Sequence, residues 1–295
     1  MKIVVTGAAG RLGEFVIRHA KASGHEVCGL DTTIPPGDHG RWLSVDLRNL
    51  PELIDTFRGV DAVVHLARLR FPYTSNGFDP ASGTWRYPDV ALDAERFAHN
   101  TEITYNVLSA CAEARVNRVV CGSSLAIYGF YYPDRPDLPD YLPVDEDHPL
   151  RPQDPYGISK VAGEHICEAF ARRTGMQIAS LRFSGIASDA QYPTLLRRQK
   201  DPLCRGSGAL WTFVDVRDAA TACCLAVERE FRGHIAFNIC ASATIMKEPT
   251  SELVSRYLPH VRISRPGLSG NWSGYDITRA EKIIGFRATH LLNSR

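Results

Sequence analysis

The sequence lacks any uninterrupted apolar run that approaches the ~18 residues needed for a membrane-spanning helix. It also lacks an excess of one charge, because 34 Lys and Arg residues against 33 Asp and Glu residues leave a formal net charge of +1. A near-neutral chain has no general electrostatic attraction for nucleic acid or for an anionic membrane surface. We therefore predict a protein whose partners include neither nucleic acid nor membrane.

The start of the chain lacks the long apolar core and cleavage site of a secretion signal. Residues 1–7, MKIVVTG, run from one lysine into a short apolar run and then into glycine. Eight cysteines are present, but none forms a Cys-x-x-Cys pair and most lie within apolar runs. Buried, reduced thiols are typical of a protein in a reducing compartment. The expected location is the cytoplasm.

Motifs for several common kinds of site are also missing. The ten histidines show no His-x-x-x-His spacing and do not converge with acidic residues, so we predict no structural or catalytic metal. Gly-x-Ser-x-Gly and Gly-Lys-Ser/Thr are both absent, which argues against an esterase elbow and a P-loop. The chain contains no internal repeats and no low-complexity tract.

The sequence does contain a regular alternation of short apolar runs with longer amphipathic segments. Its 295 residues, 44% of them hydrophobic, suffice for a large core. Buried strands are predicted at Lys2–Thr6, Glu26–Leu30, Ala62–Leu66, Arg118–Cys121 and Gln177–Leu181, and helices at Leu12–Ser23, Asn100–Ala114 and Val216–Val227. Strands that alternate with helices form a parallel sheet covered on both faces. The predicted fold class is therefore α/β, with a doubly wound parallel sheet.

Three long stretches interrupt this alternation, at 68–89, 130–147 and 187–210. The first follows the predicted strand Ala62–Leu66, so it should emerge at the carboxyl edge of the sheet, where such folds bind ligands. It is rich in aromatic residues and arginines, namely Phe71, Tyr73, Phe78, Trp85, Tyr87, Arg68, Arg70 and Arg86. Two interpretations stay open: the segment covers a flat ligand such as a sugar, or it forms a dimer contact.

A glycine-rich turn follows the first predicted strand and opens a helix. Gly7, Gly10 and Gly13 are spaced Gly-x-x-Gly-x-x-Gly, a relative of the dinucleotide-binding fingerprint. Glycines at these positions allow a tight turn and let backbone N–H groups approach a pyrophosphate at the helix N-terminus. The alternative is a turn that only lets the helix and the strand pack together.

The end of the second predicted strand carries an acidic residue, Asp31. An acid at this place accepts hydrogen bonds from the adenosine ribose hydroxyls and repels a 2′-phosphate. The next residues are Thr32 and Thr33, with no nearby arginine to bind that phosphate. NAD is therefore favoured over NADP as the cofactor.

The stretch PYGISK, at residues 155–160, places Tyr156 four positions before Lys160. Asp154 and Pro155 are typical of a helix N-cap and first helical residue, and residues four apart lie on one helix face. A neighbouring ammonium lowers the pKa of a phenol from its ordinary value of about 10, which makes the phenolate a general base. Tyr-x-x-x-Lys also occurs by chance in ordinary helices, so the pair alone does not establish catalysis.

Many short motifs occur in the order known from one family. They are TGAAGRLG at 6–13, HLA at 65–67, NTEITYN at 100–106, SSLAIYG at 123–129, LPVDEDHPLRPQDPYGISK at 142–160, LRFSG at 181–185, FVDVRDAA at 213–220 and DITRAEKIIGF at 276–286. With these, the chain resembles the extended short-chain dehydrogenase/reductase family, the NAD-dependent sugar epimerases and dehydratases. The resemblance covers most of the chain and implies a Rossmann domain with a small C-terminal substrate-binding lobe.

The resemblance implies a role for each matching position. The catalytic residues would be Ser124, Tyr156 and Lys160, with Ser124 orienting the reacting oxygen and Lys160 reaching the nicotinamide ribose. The cofactor-binding residues would be Gly7, Gly10, Arg11, Leu12, Gly13, Asp31, Asp46, Leu47, Leu66, Ala67, Asn100, Tyr156 and Lys160. Asp46 could instead be a helix cap, Asn100 a polar residue on a helix face and Ser124 a strand terminus. Relatives pair the helix at 100–114 and the helix that begins at Tyr156 between two subunits, which implies a homodimer.

Some positions depart from the family pattern. Leu125 and Ala126 follow Ser124 where dehydratases carry an acidic pair, so dehydration is disfavoured. Gly185 stands where many nucleotide-sugar epimerases have a substrate-binding asparagine. The stretch SSLAIYGFYYP is also similar to the equivalent part of uronate dehydrogenases. An arginine, such as Arg68, Arg70, Arg86 or Arg182, could bind a substrate carboxylate. The candidate substrate residues are Arg68, Trp85, Ser124 and Ser184.

These observations predict an NAD-dependent oxidoreductase that acts at a secondary alcohol or ketone of a sugar or sugar derivative. An epimerase that forms a transient ketone uses the same residues and stays an alternative, as does a protein that binds a dinucleotide without catalysis. The predicted NAD-binding domain comprises residues 1–180 together with 212–240. The predicted substrate-binding lobe comprises residues 181–211 and 241–295.

Overall fold

A computed structural model describes residues 1–35, 40–69, 78–79, 84–85, 90–130, 138–200 and 209–292, without the side chains of residues 78, 79, 84, 85, 90 and 209. The strands are β1 (Lys2–Thr6), β2 (Glu26–Asp31), β3 (Arg41–Ser44), β4 (Ala62–His65), β5 (Phe78–Asp79), β6 (Thr84–Trp85), β7 (Arg118–Ser124), β8 (Tyr141–Leu142), β9 (Gln177–Phe183), β10 (Ile186–Ala187), β11 (Val214–Asp215), β12 (His234–Ile239) and β13 (Arg262–Ile263). The helices are α1 (Arg11–Ala22), α2 (Leu50–Phe57), α3 (Val90–Glu113), α4 (Pro155–Thr174), α5 (Tyr192–Arg198), α6 (Val216–Glu228), α7 (Thr250–Tyr257) and α8 (Thr278–Ile284).

Seven of the strands form one parallel sheet in the order β12-β9-β7-β4-β1-β2-β3. The chain moves from β1 outward through β2 to β3, and β4 then returns to the other side of β1. This reversal leaves a crevice at the carboxyl ends of β1 and β4, the place where open α/β sheets bind ligands. The predicted doubly wound α/β fold is confirmed.

Helices cover both faces of the sheet and define two apolar clusters. On one face, α1 packs against α6 and contributes Val16 and Ile17 to a cluster that also contains Cys223. On the other face, α3 packs between α2 and α4, and Phe57 and Phe170 belong to the second cluster. Burial on both faces explains why the central strands are almost entirely apolar rather than alternating.

The sequence predicted the central elements well, with one clear error in a helix boundary. Strand β1 has the predicted bounds, and β2, β4, β7 and β9 differ from prediction only by one to three residues at their carboxyl ends. Helix α3, however, begins at Val90, whereas the predicted helix began at Asn100. The first ten residues of α3 contain no proline or glycine, so the helix extends back to just after Pro88.

Two further properties bear on function. None of the helices in the described part of the chain has the length and hydropathy that a bilayer crossing requires. Among the same residues, no group of three or more His, Cys, Asp or Glu side chains is placed to hold a metal ion.

Candidate active site

A cavity of about 760 Å³ lies at the carboxyl ends of the central strands. Its wall contains the glycine turn after β1, the end of β2, the segments after β3 and β4, the end of β7, the start of α4 and the end of β9. Pockets of about 300–1,000 Å³ are typical of small-molecule and cofactor sites. Twelve of the thirteen predicted cofactor residues line this cavity, and the thirteenth, Asn100, lies behind it.

The glycine turn has both a packing role and an open helix end. Gly7 has φ +68°, and a Cβ atom there would lie 2.6 Å from the Ala67 nitrogen. A Cβ atom at Gly13 would lie 2.4 Å from the Gly7 carbonyl oxygen. Gly10 is the N-cap of α1 and provides no side-chain cap. The first-turn N–H groups of α1 are therefore available to an anion in the cavity, which suits a pyrophosphate.

Asp31 ties the end of β2 to the glycine turn. Its Oδ2 atom accepts a hydrogen bond from the Ala9 N–H group at 3.0 Å, and Oδ1 accepts one from the Thr32 N–H group at 2.8 Å. Each carboxylate oxygen retains acceptor capacity, so Asp31 can still bind ribose hydroxyls in the cavity. The sequence indicated the ligand role of this acid but not its bond to the turn.

Asp46 lies at the same end of the cavity, after β3. Arg48 forms a forked pair with it, with Arg48 Nε 3.1 Å from Oδ1 and Nη2 2.7 Å from Oδ2. These hydrogen bonds lower the pKa of Asp46 to about 2, so the carboxylate is ionised at neutral pH. Together with Leu47, Leu66 and the end of β2, it forms the wall that would surround the adenosine.

The opposite end of the cavity is formed by the start of α4. Asp154 is the N-cap, and its Oδ1 atom accepts a hydrogen bond from the Gly157 N–H group at 2.9 Å. Pro155 is the first helical residue, as its fixed φ and missing N–H group favour. The predicted cap is confirmed, and it places Tyr156 and Lys160 on the helix face that lines the cavity.

Ser124, Tyr156 and Lys160 meet at this end of the cavity. The Lys160 ammonium lies 5.7 Å from the centre of the Tyr156 ring and donates a hydrogen bond to the Gly122 carbonyl oxygen at 2.7 Å. Ser124 ends β7, and its hydroxyl accepts a hydrogen bond from the Ala126 N–H group at 3.2 Å. The Ser124 hydroxyl also interacts with the Tyr156 hydroxyl.

A second cation lies beside the phenol. The Arg68 guanidinium carbon is 5.3 Å from the centre of the Tyr156 ring. Burial of the phenol and the negative charge of Asp154 oppose its ionisation, but the charges of Arg68 and Lys160 and the interaction with Ser124 outweigh them. The pKa of Tyr156 therefore lies below the ordinary value of about 10. The arrangement suits a phenol that exchanges a proton with a bound alcohol.

A small cavity of about 10 Å³ lies behind Lys160 and includes Asn100. The Asn100 Oδ1 atom accepts a hydrogen bond from the Leu69 N–H group at 2.8 Å. Its Nδ2 atom lies 3.5 Å from the Ser159 hydroxyl oxygen. Asn100 therefore anchors the backbone after β4 beside the large cavity, a contact that the sequence did not indicate. The small cavity has room for about one water molecule.

His65 is buried at the end of β4, beneath this part of the site. Its Nδ1 atom lies 2.8 Å from the Thr6 hydroxyl oxygen and its Nε2 atom 3.4 Å from the Thr104 hydroxyl oxygen. Burial and the nearby Lys160 charge lower the pKa of His65 to about 3. The imidazole is therefore neutral at physiological pH and adds no charge near the phenol.

Arg182 does not belong to the substrate-facing surface that the sequence allowed for it. It is 5% exposed and forms an ion pair with Glu164, with Arg182 Nη2 2.7 Å from Glu164 Oε2. The Ser123 hydroxyl donates a hydrogen bond to Glu164 Oε1 at 2.6 Å. The pair therefore supports β7 next to Ser124. Nothing in the local sequence identifies Glu164 as the partner, because the two residues come together only when α4 packs on β9.

The remaining candidate substrate residues differ in their placement. Ser184 is 5% exposed and lines the cavity, and its hydroxyl has no hydrogen-bond partner among the described residues. This hydroxyl is therefore available to form a hydrogen bond with a ligand in the cavity. Trp85 pairs with Phe78 in the β5–β6 ladder, but its side chain lies outside the described residues, as do Arg70 and Arg86.

These features together fit a dinucleotide. The open end of α1 suits a pyrophosphate, Asp31 and Asp46 line one end, and the unpartnered Ser184 hydroxyl lies towards the other. The same cavity joins that dinucleotide region to Ser124, Tyr156 and Lys160.

Comparison with known proteins gives a consistent result. The sequence model described as "NAD dependent epimerase/dehydratase family" matches residues 3–240. An L-arabinose 1-dehydrogenase (NAD(P)(+)) from Haloferax volcanii is 32% identical over 71% of this chain and 76% of the relative. An uncharacterized UDP-glucose epimerase from Bacillus subtilis is 29% identical over 66% of this chain. The chain spans only 60% of the length of that epimerase.

A solved structure resembles the whole chain. It is a short-chain dehydrogenase/reductase superfamily protein from Agrobacterium tumefaciens with bound NAD. The two share 25% identity and superimpose with a TM-score of 0.71, over 99% of this chain and 94% of the other.

Proposed function

Because the chain belongs to the NAD-dependent epimerase/dehydratase family, we propose that it is an NAD-dependent dehydrogenase that oxidises a secondary alcohol of a sugar or sugar derivative. The observation that carries the proposal is the convergence of Ser124, Tyr156 and Lys160 at one end of a cavity whose other features fit a dinucleotide. The names of two relatives, an arabinose dehydrogenase and a UDP-glucose epimerase, support a sugar as the substrate.

The proposed reaction breaks the O–H and C–H bonds of the alcohol and forms a carbonyl group. Ser124 holds the reacting oxygen, and the Tyr156 phenolate accepts the hydroxyl proton. Lys160 stabilises the phenolate through its positive charge, because the ammonium is held near the ring by its bond to Gly122. Bound NAD supplies the acceptor for the hydride that leaves the alcohol carbon.

We assign the cofactor to the cavity residues by their chemistry. The first turn of α1, with Gly10, Arg11, Leu12 and Gly13, would hold the pyrophosphate. Asp31 would hold the adenosine ribose, and its negative charge favours NAD over NADP. Asp46, Leu47, Leu66 and Ala67 would contact the adenosine. Asn100 supports the site indirectly through Leu69, and Ser184 would bind either the nicotinamide amide or a substrate hydroxyl.

An epimerase is the second candidate, because the family and the Bacillus relative both carry that activity in their names. The two activities use the same residues but differ in the fate of the cofactor. We expect purified protein with NAD and a panel of sugars, sugar acids and nucleotide sugars to form NADH in proportion to the oxidised product. Absorbance spectroscopy and mass spectrometry measure the two.

Turnover to a stereoisomer without net NADH would instead identify an epimerase. NAD binding without either product from any sugar in the panel would leave a dinucleotide-binding protein and would contradict the proposed enzyme. The matched control is the same protein incubated with the panel in the absence of added NAD.

We also propose the division of the chain that the sequence suggested. Residues 1–180 and 212–240 would bind the cofactor, and residues 181–211 and 241–295 would shape the substrate site.

The seven described cysteines are all free thiols, namely Cys28, Cys111, Cys121, Cys167, Cys223, Cys224 and Cys240. Free thiols are typical of a reducing compartment, which supports the cytoplasm as the proposed location.

A homodimer through α3 and α4 is the proposed assembly. These helices pack side by side and expose large apolar side chains, with Phe97 and Tyr105 on α3 and Ile158 on α4 each 38–49% exposed. We expect the wild-type protein to have the mass of two chains by light scattering. Phe97→Glu with Tyr105→Glu should reduce that mass to one chain, because burying two carboxylates at an apolar interface is unfavourable.

The matched control for the dimer is Leu196→Glu on α5, which places the same charge at an exposed apolar residue away from α3 and α4. It should leave the mass unchanged. A wild-type protein with the mass of a single chain, or a double variant that still pairs, would contradict this interface.

A further inference from the structure

Arg68 is held over the proposed catalytic tyrosine although its side chain is exposed. It follows β4 by three residues and lines the large cavity. Its guanidinium carbon lies 5.3 Å from the centre of the Tyr156 ring. The backbone beside it is fixed, because the Leu69 N–H group donates to Asn100 on α3. The position after β4 and the hydrogen bond to α3 therefore hold Arg68 at the end of the cavity where Tyr156 lies.

The charges along the cavity are unevenly distributed. The charged side chains in its described wall are Arg11, Asp31, Asp46, Arg48, Arg68 and Lys160. Both acids lie at the dinucleotide end, where Asp46 is paired with Arg48 and Asp31 accepts backbone N–H groups. At the Tyr156 end, Arg68 and Lys160 are both cations. In the described part of the chain, no carboxylate forms an ion pair with either of them.

The two cations are not equivalent. The Lys160 ammonium donates a hydrogen bond to the Gly122 carbonyl oxygen, which holds it 5.7 Å from the centre of the Tyr156 ring. Arg68 makes no hydrogen bond to a described residue, and it lines the same part of the cavity that a substrate must occupy to reach Tyr156. A guanidinium presents a planar fork of N–H donors that matches a carboxylate in a two-bond contact.

We propose that Arg68 binds a carboxylate of the substrate and thereby selects sugar acids over neutral sugars. This inference rests on the proposed function, since it assumes that the reacting alcohol lies at Tyr156. The carboxylate belongs either to a free sugar acid or to the sugar ring of a nucleotide sugar, and matched substrates distinguish these sources.

The experiment compares substrates that differ only in the carboxylate. D-galacturonate is compared with D-galactose, and UDP-glucuronate with UDP-glucose, using the full chain and NAD. We expect kcat/KM to be about 10- to 100-fold higher for the acid than for the neutral sugar in one of the pairs, as charge-assisted hydrogen bonds imply. The pair that shows the difference identifies the source of the carboxylate.

Arg68→Gln should remove most of that preference, mainly by raising KM for the acid. Arg68→Lys keeps the charge but loses the fork, so it should restore only part of the preference. The matched control is Arg172→Gln, which changes an exposed arginine on the outer surface of α4. It should leave the ratio between acid and neutral sugar unchanged.

The pH profile of kcat/KM gives a second readout that a purely structural role would not move. The phenolate is the active form in alcohol oxidation, so the rate rises as the pH rises through the pKa of Tyr156. Arg68→Gln removes one of the charges that lower this pKa, so the midpoint should shift to higher pH. Arg68→Lys should keep the midpoint near that of the wild-type enzyme.

Two results would overturn the inference while leaving the proposed function intact. One is an equal kcat/KM for the acid and the neutral sugar in both pairs. The other is a variant Arg68→Gln that lowers kcat/KM by the same factor for the acid and for the neutral sugar.

Binding to the NAD-loaded Tyr156→Phe protein tests Arg68 without turnover. There too, equal affinity for acid and neutral sugars, or an acid affinity unaffected by Arg68→Gln, would contradict it. If the proposed function itself were wrong, no sugar would give a product, and this result differs from those above.

Discussion

Tyr156→Phe is expected to lower kcat by about 10²- to 10⁴-fold, the range that a positioned general acid or base contributes. The change removes only the phenol oxygen, and the ring keeps its place in the first turn of α4, which Asp154 caps. The variant should bind NAD as the wild-type protein does, because the glycine turn and Asp31 lie at the other end of the cavity. Steady-state kinetics and calorimetric titration with NAD measure the two effects.

The matched control is Tyr257→Phe at the end of α7. Tyr257 packs against Trp211, with ring centres 6.3 Å apart, so this change also removes one phenol oxygen and keeps the ring. Its activity should equal that of the wild type. Undiminished turnover by Tyr156→Phe would overturn the assignment of the general base, and loss of NAD binding in that variant would show that the tyrosine is needed to form the site.

Arg182→Leu is expected to lower the free energy of unfolding by about 3–5 kcal/mol, the cost of breaking a buried ion pair by removing one partner. The Glu164 carboxylate would stay buried with the Ser123 hydroxyl as a donor but without its cation. Because Ser123 adjoins Ser124, the change should also weaken the support of the reacting end of the cavity. Denaturant unfolding monitored by circular dichroism measures the loss.

The double variant Arg182→Leu with Glu164→Leu separates charge from packing. It should recover part of the lost stability, since no unpaired charge is left in the interior. The surface control is Arg172→Ala, which breaks an exposed pair with Glu168 and should cost no more than about 1 kcal/mol. If both buried variants lost the same amount, the ion pair would not be the source of the stability.

The first strand, the glycine turn and the first helix could be predicted from sequence because they obey local rules. A short apolar run defines β1, and closely spaced glycines permit the turn. Structure added a reason for two of these glycines: side chains at Gly7 and Gly13 would collide with neighbouring backbone. The packing interpretation of the turn and its ligand-binding interpretation are therefore compatible.

The predicted start of α3, Asn100, was wrong, and the error has a physical cause. The segment before Asn100 contains good helix formers but no clear amphipathic face, and Phe97 is partly exposed. A prediction that depends on apolar periodicity therefore stops where the face that packs on α4 begins. The helix continues because nothing in the segment interrupts its backbone hydrogen bonds.

The sequence by itself determined how strands and helices alternate along the chain, the N-cap of α4, and the placement of Tyr156 and Lys160 on one face of that helix. Each of these depends on residues only a few positions apart. Only the tertiary structure decided that Arg68 lies over Tyr156, that Asn100 anchors Leu69 and that Arg182 pairs with Glu164. Those contacts join residues that are 18 to 88 positions apart and lie on different elements. From the sequence alone, many other charged or polar residues could equally well be the partners. Their partners are set by the order of strands in the sheet and by the helices that pack against it.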